Sequence, residues 1–184
     1  MIIDGVGMRG LEPGDAAGLA HALARNRAYM APFEPYRSAR FYTEAGQRDR
    51  VEGMLADRDA GRARPYVLVE AATGRPVGAI NLGAITLGPL CSGGIGYWVA
   101  EAWNGRGLAT AALEEVCRIA RDDVGLHRVE AGTLVDNLAS QRVLAKAGFE
   151  QYGLAPNYLH VNGAWRDHRL FQRLLHADPP PPAD

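Results

Sequence analysis

The sequence predicts a mixed α/β domain of the α+β class, and three observations carry that prediction. Stretches that alternate at the two-residue period of a strand form two pairs, closed by Thr73-Gly74 and Asn162-Gly163. Stretches spaced like one face of a helix lie before, between and after the first strands, around Leu19, Val51, Leu113 and Leu144. No linker or internal repeat divides the 184 residues, and 47% hydrophobic residues suit one domain that buries its own core. Residues 1–176 are therefore expected to form a single unit, and 177–184 is too proline-rich to pack.

Val6 to Leu11 is short enough for an edge strand, and Glu12-Pro13-Gly14-Asp15 reads as a turn into a helix carrying Leu19 and Leu23. That helix is expected to fade near Asn26-Arg27. Met30-Ala31-Pro32-Phe33-Glu34-Pro35 reads as an ordered loop, because each proline lacks an N–H and pushes its predecessor from the α region. Val51, Met54 and Leu55 form one buried stripe on a charged helix from about Thr43 to Ala60. Tyr66–Glu70 and Val77–Leu82 make the first hairpin, and Gly94–Val99 is the next strand. Leu108 to Arg121 is an amphipathic helix, and Arg128 to Val135 alternates as a strand. Asn137 is placed to cap a helix from Leu138 to Ala147, with Gly148 ending it. Tyr158–Val161 and Trp165–Leu174 close the domain as a hairpin around Asn162-Gly163, a pair that tolerates positive φ.

Composition excludes several function classes. Twenty Lys+Arg against 21 Asp+Glu argue against a general basic surface for nucleic acid or anionic lipid. Cys91 and Cys117 have no C-x-x-C or Cys/His ligand spacing, which speaks against a disulfide scaffold or structural zinc. His160 and His168 lack an evident third ligand, so no metal is expected. The start of the chain has no basic n-region, and no run approaches 18 apolar residues, so a soluble cytoplasmic protein is expected, without a membrane partner. Glycine is in excess: 22 of 184 residues is about 12%, against ordinary usage of about 7%.

Part of that excess sits between a strand and a helix, in Asn104-Gly105-Arg106-Gly107-Leu108-Ala109-Thr110. Without Cβ atoms, successive N–H groups can converge on phosphate oxygens, and the helix N-terminus adds partial positive charge. Spacing alone leaves two readings, an anion site or a tight turn that holds nothing. A P-loop is absent, no G-x-G-x-x-G follows a strand, and no G-x-S-x-G surrounds Ser92.

Gly96-Tyr97-Trp98-Val99 followed by this turn resembles the acyl-CoA-binding motif of the GCN5-related N-acetyltransferases (GNAT), whose pattern is Gln/Arg-x-x-Gly-x-Gly/Ala. About thirty residues on, Asp136-Asn137-Leu138-Ala139-Ser140 through Ala147-Gly148-Phe149 is similar to that family's N-x-x-[AS] to G-F helix. Asn26-Arg27, Ala31–Pro35 and the final hairpin with Trp165-Arg166-Asp167-His168 resemble the RimJ/RimL-like branch, which acetylates N-termini of ribosomal proteins. The resemblance implies a GNAT fold, a mostly antiparallel twisted sheet of about six to seven strands flanked by helices. It also implies acetyl-CoA as cosubstrate, held by Trp98, Val99, Asn104, Gly105, Arg106, Gly107, Leu108, Ala109, Thr110, Asn137 and Ser140. Asn104 stands where the family usually has Gln or Arg, which shifts pyrophosphate binding toward backbone amides. Leu144 stands where many members have a tyrosine that protonates the leaving thiolate.

For that missing acid the ribosomal branch offers a serine, here Ser140, which is equally a first-turn residue bonding locally. Glu101 matches a carboxylate assigned as base, and it is equally a solvated loop glutamate. A backbone N–H near Val99 is expected to polarise the thioester carbonyl. Phe33, Glu34, Tyr97, Tyr158, Trp165 and Asp167 are the candidates for the acceptor groove, with packing as the plainer role of the aromatics. Magnitudes bear on the acceptor: freeing an α-amine of its proton at pH 7 costs about 1 kcal/mol, and freeing a lysine about 4.6. A protein N-terminus is thus the easier acceptor, with a small-molecule amine or a non-catalytic acyl-CoA-binding module as rivals. Oligomeric state is open, a homodimer included.

Overall fold

In the computed structural model, which describes residues 1–179, seven strands form one sheet in the order β1-β2-β3-β4-β5-β7-β6. The strands are β1 (Val6–Gly10), β2 (Arg64–Glu70), β3 (Pro76–Thr86), β4 (Ser92–Val99), β5 (Arg128–Leu134), β6 (Glu150–Val161) and β7 (Ala164–Leu174). Neighbours are antiparallel except β4 and β5, which run parallel. The expected α+β architecture, a mostly antiparallel sheet flanked by helices, is the one found.

Apolar side chains on the two faces of this sheet require two covers. On one face α1 (Ala16–Arg25) and α3 (Glu44–Asp59) bury Leu19, Val51 and Leu55 against Val67. On the other, α4 (Leu108–Asp122) and α5 (Leu138–Lys146) bury Leu113, Val116 and Leu144 against Ile80, Leu82 and Val129. The buried row of α4 runs at helical spacing from Leu108 through Ala112, Leu113, Val116 and Cys117 to Ala120, with Ile119 beside it and Ala109 half-buried.

Caps and turns follow local chemistry. Thr43 Oγ1 accepts from Gly46 N–H at 3.1 Å and starts α3, and Asn137 Oδ1 accepts from Ser140 N–H at 3.1 Å and starts α5. Gly148, at φ 77°, stops α5 in the left-handed conformation that a residue with a Cβ resists.

Two elements differ from the sequence reading. The Met30–Pro35 loop holds more helix than expected: α2 (Arg27–Met30) runs into a 3-10 turn at Ala31–Phe33. Pro32 fits there because it lies in the first turn, where no N–H is needed. β6 begins at Glu150, eight residues before Tyr158, because its register shifts between Ala155 and Leu159 and Asn157 takes φ 50°. Such a break hides a strand from any test of alternation. The strands from Val6 to Leu174 join one sheet, and the proline run beyond 179 lies outside the described residues.

Candidate active site

β4 and β5 pair only over Ser92–Gly94 and Arg128–Glu130, then diverge. Parallel strands that separate leave backbone groups with no ladder partner, and ligands bind at such points. Ala100 N–H donates to Val77 O at 2.8 Å, so at the two-residue period Trp98 N–H also turns to β3. The N–H groups of Tyr97 and Val99 therefore turn the other way, into the gap. A cleft of about 460 Å³ fills it, within the usual range for small-molecule sites.

The cleft lies between the strands and is lined from both faces of the sheet. From the α4/α5 face it is lined by Tyr97, Val99, Ala131, Ser140, Val143 and Leu144. From the α1/α3 face come Trp98, which packs on that core, together with Tyr29, Phe33, Glu34 and His168. Gly132 on β5 points to this second face, since Val129 and Ala131 face the first, and His168 lies beside it. A through-sheet gap lets two reactants approach one point from opposite sides.

At one end the cleft meets the glycine turn. Gly105 and Gly107 take φ 74° and 80°, and a Cβ built on either meets nothing within 4 Å, so the backbone is bare to solvent. Gly107 is the N-cap of α4 and offers no side chain, and the first bond into the helix is from Ala111 N–H to Gly107 O. The amides of Leu108, Ala109 and Thr110 are left as donors for an anion. Leu108 itself is fully buried, so it contributes its amide only. The Arg106 guanidinium lies 4.7 Å over the Trp103 ring, a cation–π contact that holds it at the turn.

Two side-chain bonds tie α1 and α2 to this turn. Asn26 Oδ1 accepts from Glu101 N–H at 2.9 Å, and Asn104 Nδ2 donates to Tyr29 OH at 2.8 Å. Asn104 is thus engaged by Tyr29, consistent with a lesser part in holding phosphate.

The structure gathers nine of the sequence-derived candidates in the cleft: Phe33, Glu34, Tyr97, Trp98, Val99, Asn104, Ala109, Asn137 and Ser140. Tyr97 turns to α5, where its OH lies 2.8 Å from Ser140 Oγ, rather than toward the Phe33 side. Burial pushes the Tyr97 phenol up to about 12, against the pull of that hydrogen bond. Burial also raises the Glu34 carboxyl, opposed by Arg37 and Arg50. Glu101 is elsewhere: it lines an adjacent depression of about 740 Å³ with His21, Arg25, Arg75 and Trp103. Tyr158 stacks at 5.4 Å on His168, one residue removed from the cleft, and Asp167 Oδ1 accepts from Asn157 N–H at 2.9 Å. Trp165 is 62% exposed against His160. The same hairpin reaches the acceptor side through Asn162 N–H, which donates to Glu34 O at 3.3 Å.

Tyr29, Thr133 and Leu134 line the cleft without a sequence signal for it, and so does His168, which the sequence offers only as a discounted metal ligand. His168 is buried on a strand whose burial does not alternate, so its face was unreadable. The Asn104–Tyr29 bond joins residues 75 apart and left no local signal.

Residues 6–150 match the model of the acetyltransferase (GNAT) domain. The probable N-acetyltransferase YjcK of Bacillus subtilis (strain 168) is 34% identical over 167 residues, 91% of this chain and 92% of that protein. The crystal structure of ribosomal-protein-S5-alanine acetyltransferase from Vibrio fischeri is similar with a TM-score of 0.90 at 30% identity, covering 94% of each chain. RimJ of Mycobacterium smegmatis in complex with CoA-disulfide is similar at 0.86 and 35% identity, covering 92% of this chain and 81% of that one.

Proposed function

This chain belongs to the GNAT acetyltransferase family, and from that premise we propose that it moves acetyl from acetyl-CoA to the α-amine of a protein N-terminus, such as that of a ribosomal protein. The observation that carries the reading is the through-sheet cleft, with unpaired β4 amides that run toward the uncapped start of α4. The extended pantetheine arm fits strand-like amides, and the pyrophosphate fits the bare turn from Gly105 to Thr110. The donor enters from the α4/α5 face and the amine from the Phe33, Glu34 and His168 face, so both meet in one ternary complex without a covalent enzyme intermediate.

The roles follow from position. Val99 N–H, aimed into the gap, donates to the thioester oxygen as negative charge develops there. Glu34 draws a cationic amine toward the acceptor side. An α-amine loses its proton to solvent at a cost of about 1 kcal/mol at pH 7, so a strong buried base is not required. Glu101 opens on the adjacent depression rather than on the cleft, so it is assigned at most a water-mediated part in taking the amine proton. Its replacement, Glu101→Gln, is expected to lower turnover less than about 10-fold; a loss of about 10²-fold would make it the general base.

The test is incubation with acetyl-CoA and a panel of alanine- and serine-initiated peptides, free amino acids and aminoglycosides, with release of free CoA followed. Acetylation of the peptides supports the reading. Turnover confined to small amines would move the acceptor to that class, and no turnover with any amine would leave an acyl-CoA-binding module.

A further inference from the structure

Two hydroxyls from distant parts of the chain meet at the cleft wall. Tyr97 and Ser140, separated by 43 positions, bring OH and Oγ to 2.8 Å. Each is held independently of the other. Tyr97 projects from β4 into the α4/α5 core, and Ser140 sits in the first turn of α5, fixed by its N–H bond to Asn137 Oδ1. One turn further along α5, Leu144 is fully buried and supplies only hydrocarbon. The cleft wall formed by β4 and α5 therefore carries one proton-donating pair on the face where the donor enters.

Resting on the acetyl transfer proposed above, we propose that Tyr97 acts through Ser140 as a positioning and proton-relay residue, reloading the serine as it protonates the departing CoA thiolate. The phenol O–H donates to Ser140 Oγ, which leaves the serine O–H free to point at sulfur. When the C–S bond breaks, its electron pair goes to sulfur, sulfur takes the Ser140 proton, and Ser140 Oγ takes the phenol proton. Tyrosinate is then reprotonated by solvent water, which has already received the proton released by the amine. No charge or atom is left over.

Acidity explains why the second hydroxyl matters. A serine acting alone would be left as an alkoxide, the anion of an acid far weaker than a thiol or a phenol. Burial pushes the Tyr97 phenol up from its ordinary value near 10 to about 12, which is still closer to a thiol near 8.5 than an alcohol is, so passing the charge to tyrosine narrows the gap. Burial keeps the Tyr97 phenol protonated at neutral pH, so the relay is loaded before the donor binds. Phenylalanine at 97 keeps the ring and its packing and removes only the O–H.

The experiment compares Tyr97→Phe, Ser140→Ala and the double variant, with acetyl-CoA and a saturating peptide acceptor. Each single change is expected to lower kcat about 10²-fold. The double variant is expected to fall no further than the worse single, because both belong to one path. Acetyl-CoA affinity of Tyr97→Phe should stay within about two-fold, and Tm should show all three variants folded. An acetyl thioester of an aryl thiol, whose thiolate departs without a proton, should restore the variants toward wild type. Unchanged kcat in Tyr97→Phe, multiplicative losses, or a loss that the aryl thioester does not relieve would overturn the relay. Wild-type protein inactive toward every amine would overturn the transfer reading itself, a result distinct from the other three.

Discussion

The two halves of β4 are built from one strand and do different work. Over Ser92–Gly94 the strand has partners on both sides, β3 and β5, and Gly93 sits so tightly that a Cβ would lie 2.8 Å from Leu82 Cδ1. From Ile95 to Val99 the β3 side remains paired while the β5 side opens, and the cleft takes the missing partner's place. The contrast teaches that the site costs the fold one stretch of ladder, kept open by the cover of α5 and the α2 corner. Stability resides in the paired half, and ligand binding in the open one.

Substitutions that touch one half and spare the other test this division. The largest effect is expected from Gly78→Ala, since its Cβ would lie 2.7 Å from Trp98 O, a backbone atom of the open half that cannot rotate away. Stability should fall by about 1–3 kcal/mol, as overpacking costs. CoA affinity should fall with it, read by thermal unfolding and calorimetric titration. Gly93→Ala should cost about 1 kcal/mol, the lower end of that range, because it meets leucine methyls that can turn aside. Its CoA affinity should match wild type, and a weakened one would blur the division. Asn137→Ala removes the cap that fixes Ser140, with an expected loss of about 0.5–1 kcal/mol in thermal unfolding and a lower kcat.

The smallest effect concerns Glu34, whose carboxyl is raised by burial on the acceptor side. A raised carboxyl contributes to stability below its unfolded value of about 4.3, and that contribution is lost as pH climbs through the folded value. Glu34→Gln should therefore match wild-type Tm below about pH 4 and exceed it modestly at pH 7. The same variant should raise KM for cationic acceptors while leaving acetyl-CoA affinity unchanged.

What was readable in the sequence was local. The edge position of β1, the Asn137 cap, the Gly148 stop and the Asn162-Gly163 turn each depend on a few adjacent residues, and each is found. The glycine turn was legible for the same reason, as a strand followed by bare backbone and an amphipathic helix. The divergence of β4 from β5 leaves no such mark, because it depends on how far two strands whose paired residues lie 36 positions apart remain together; the pairs end after Gly94↔Glu130. Glu101 illustrates the limit from the other side. Its place at the end of β4 was readable, whereas the depression it faces is made by α1 and the β2–β3 turn. The sequence places Tyr97 in the acceptor groove; its OH meets Ser140 on α5, 43 positions away, a contact that no local pattern supplies.

Amide hydrogen exchange with and without CoA measures the central claim most directly. The account predicts new protection at Tyr97, Val99 and Leu108 to Thr110, with Ser92–Gly94 unchanged. Protection that spares these amides, or that falls instead on the depression around Glu101, would contradict it.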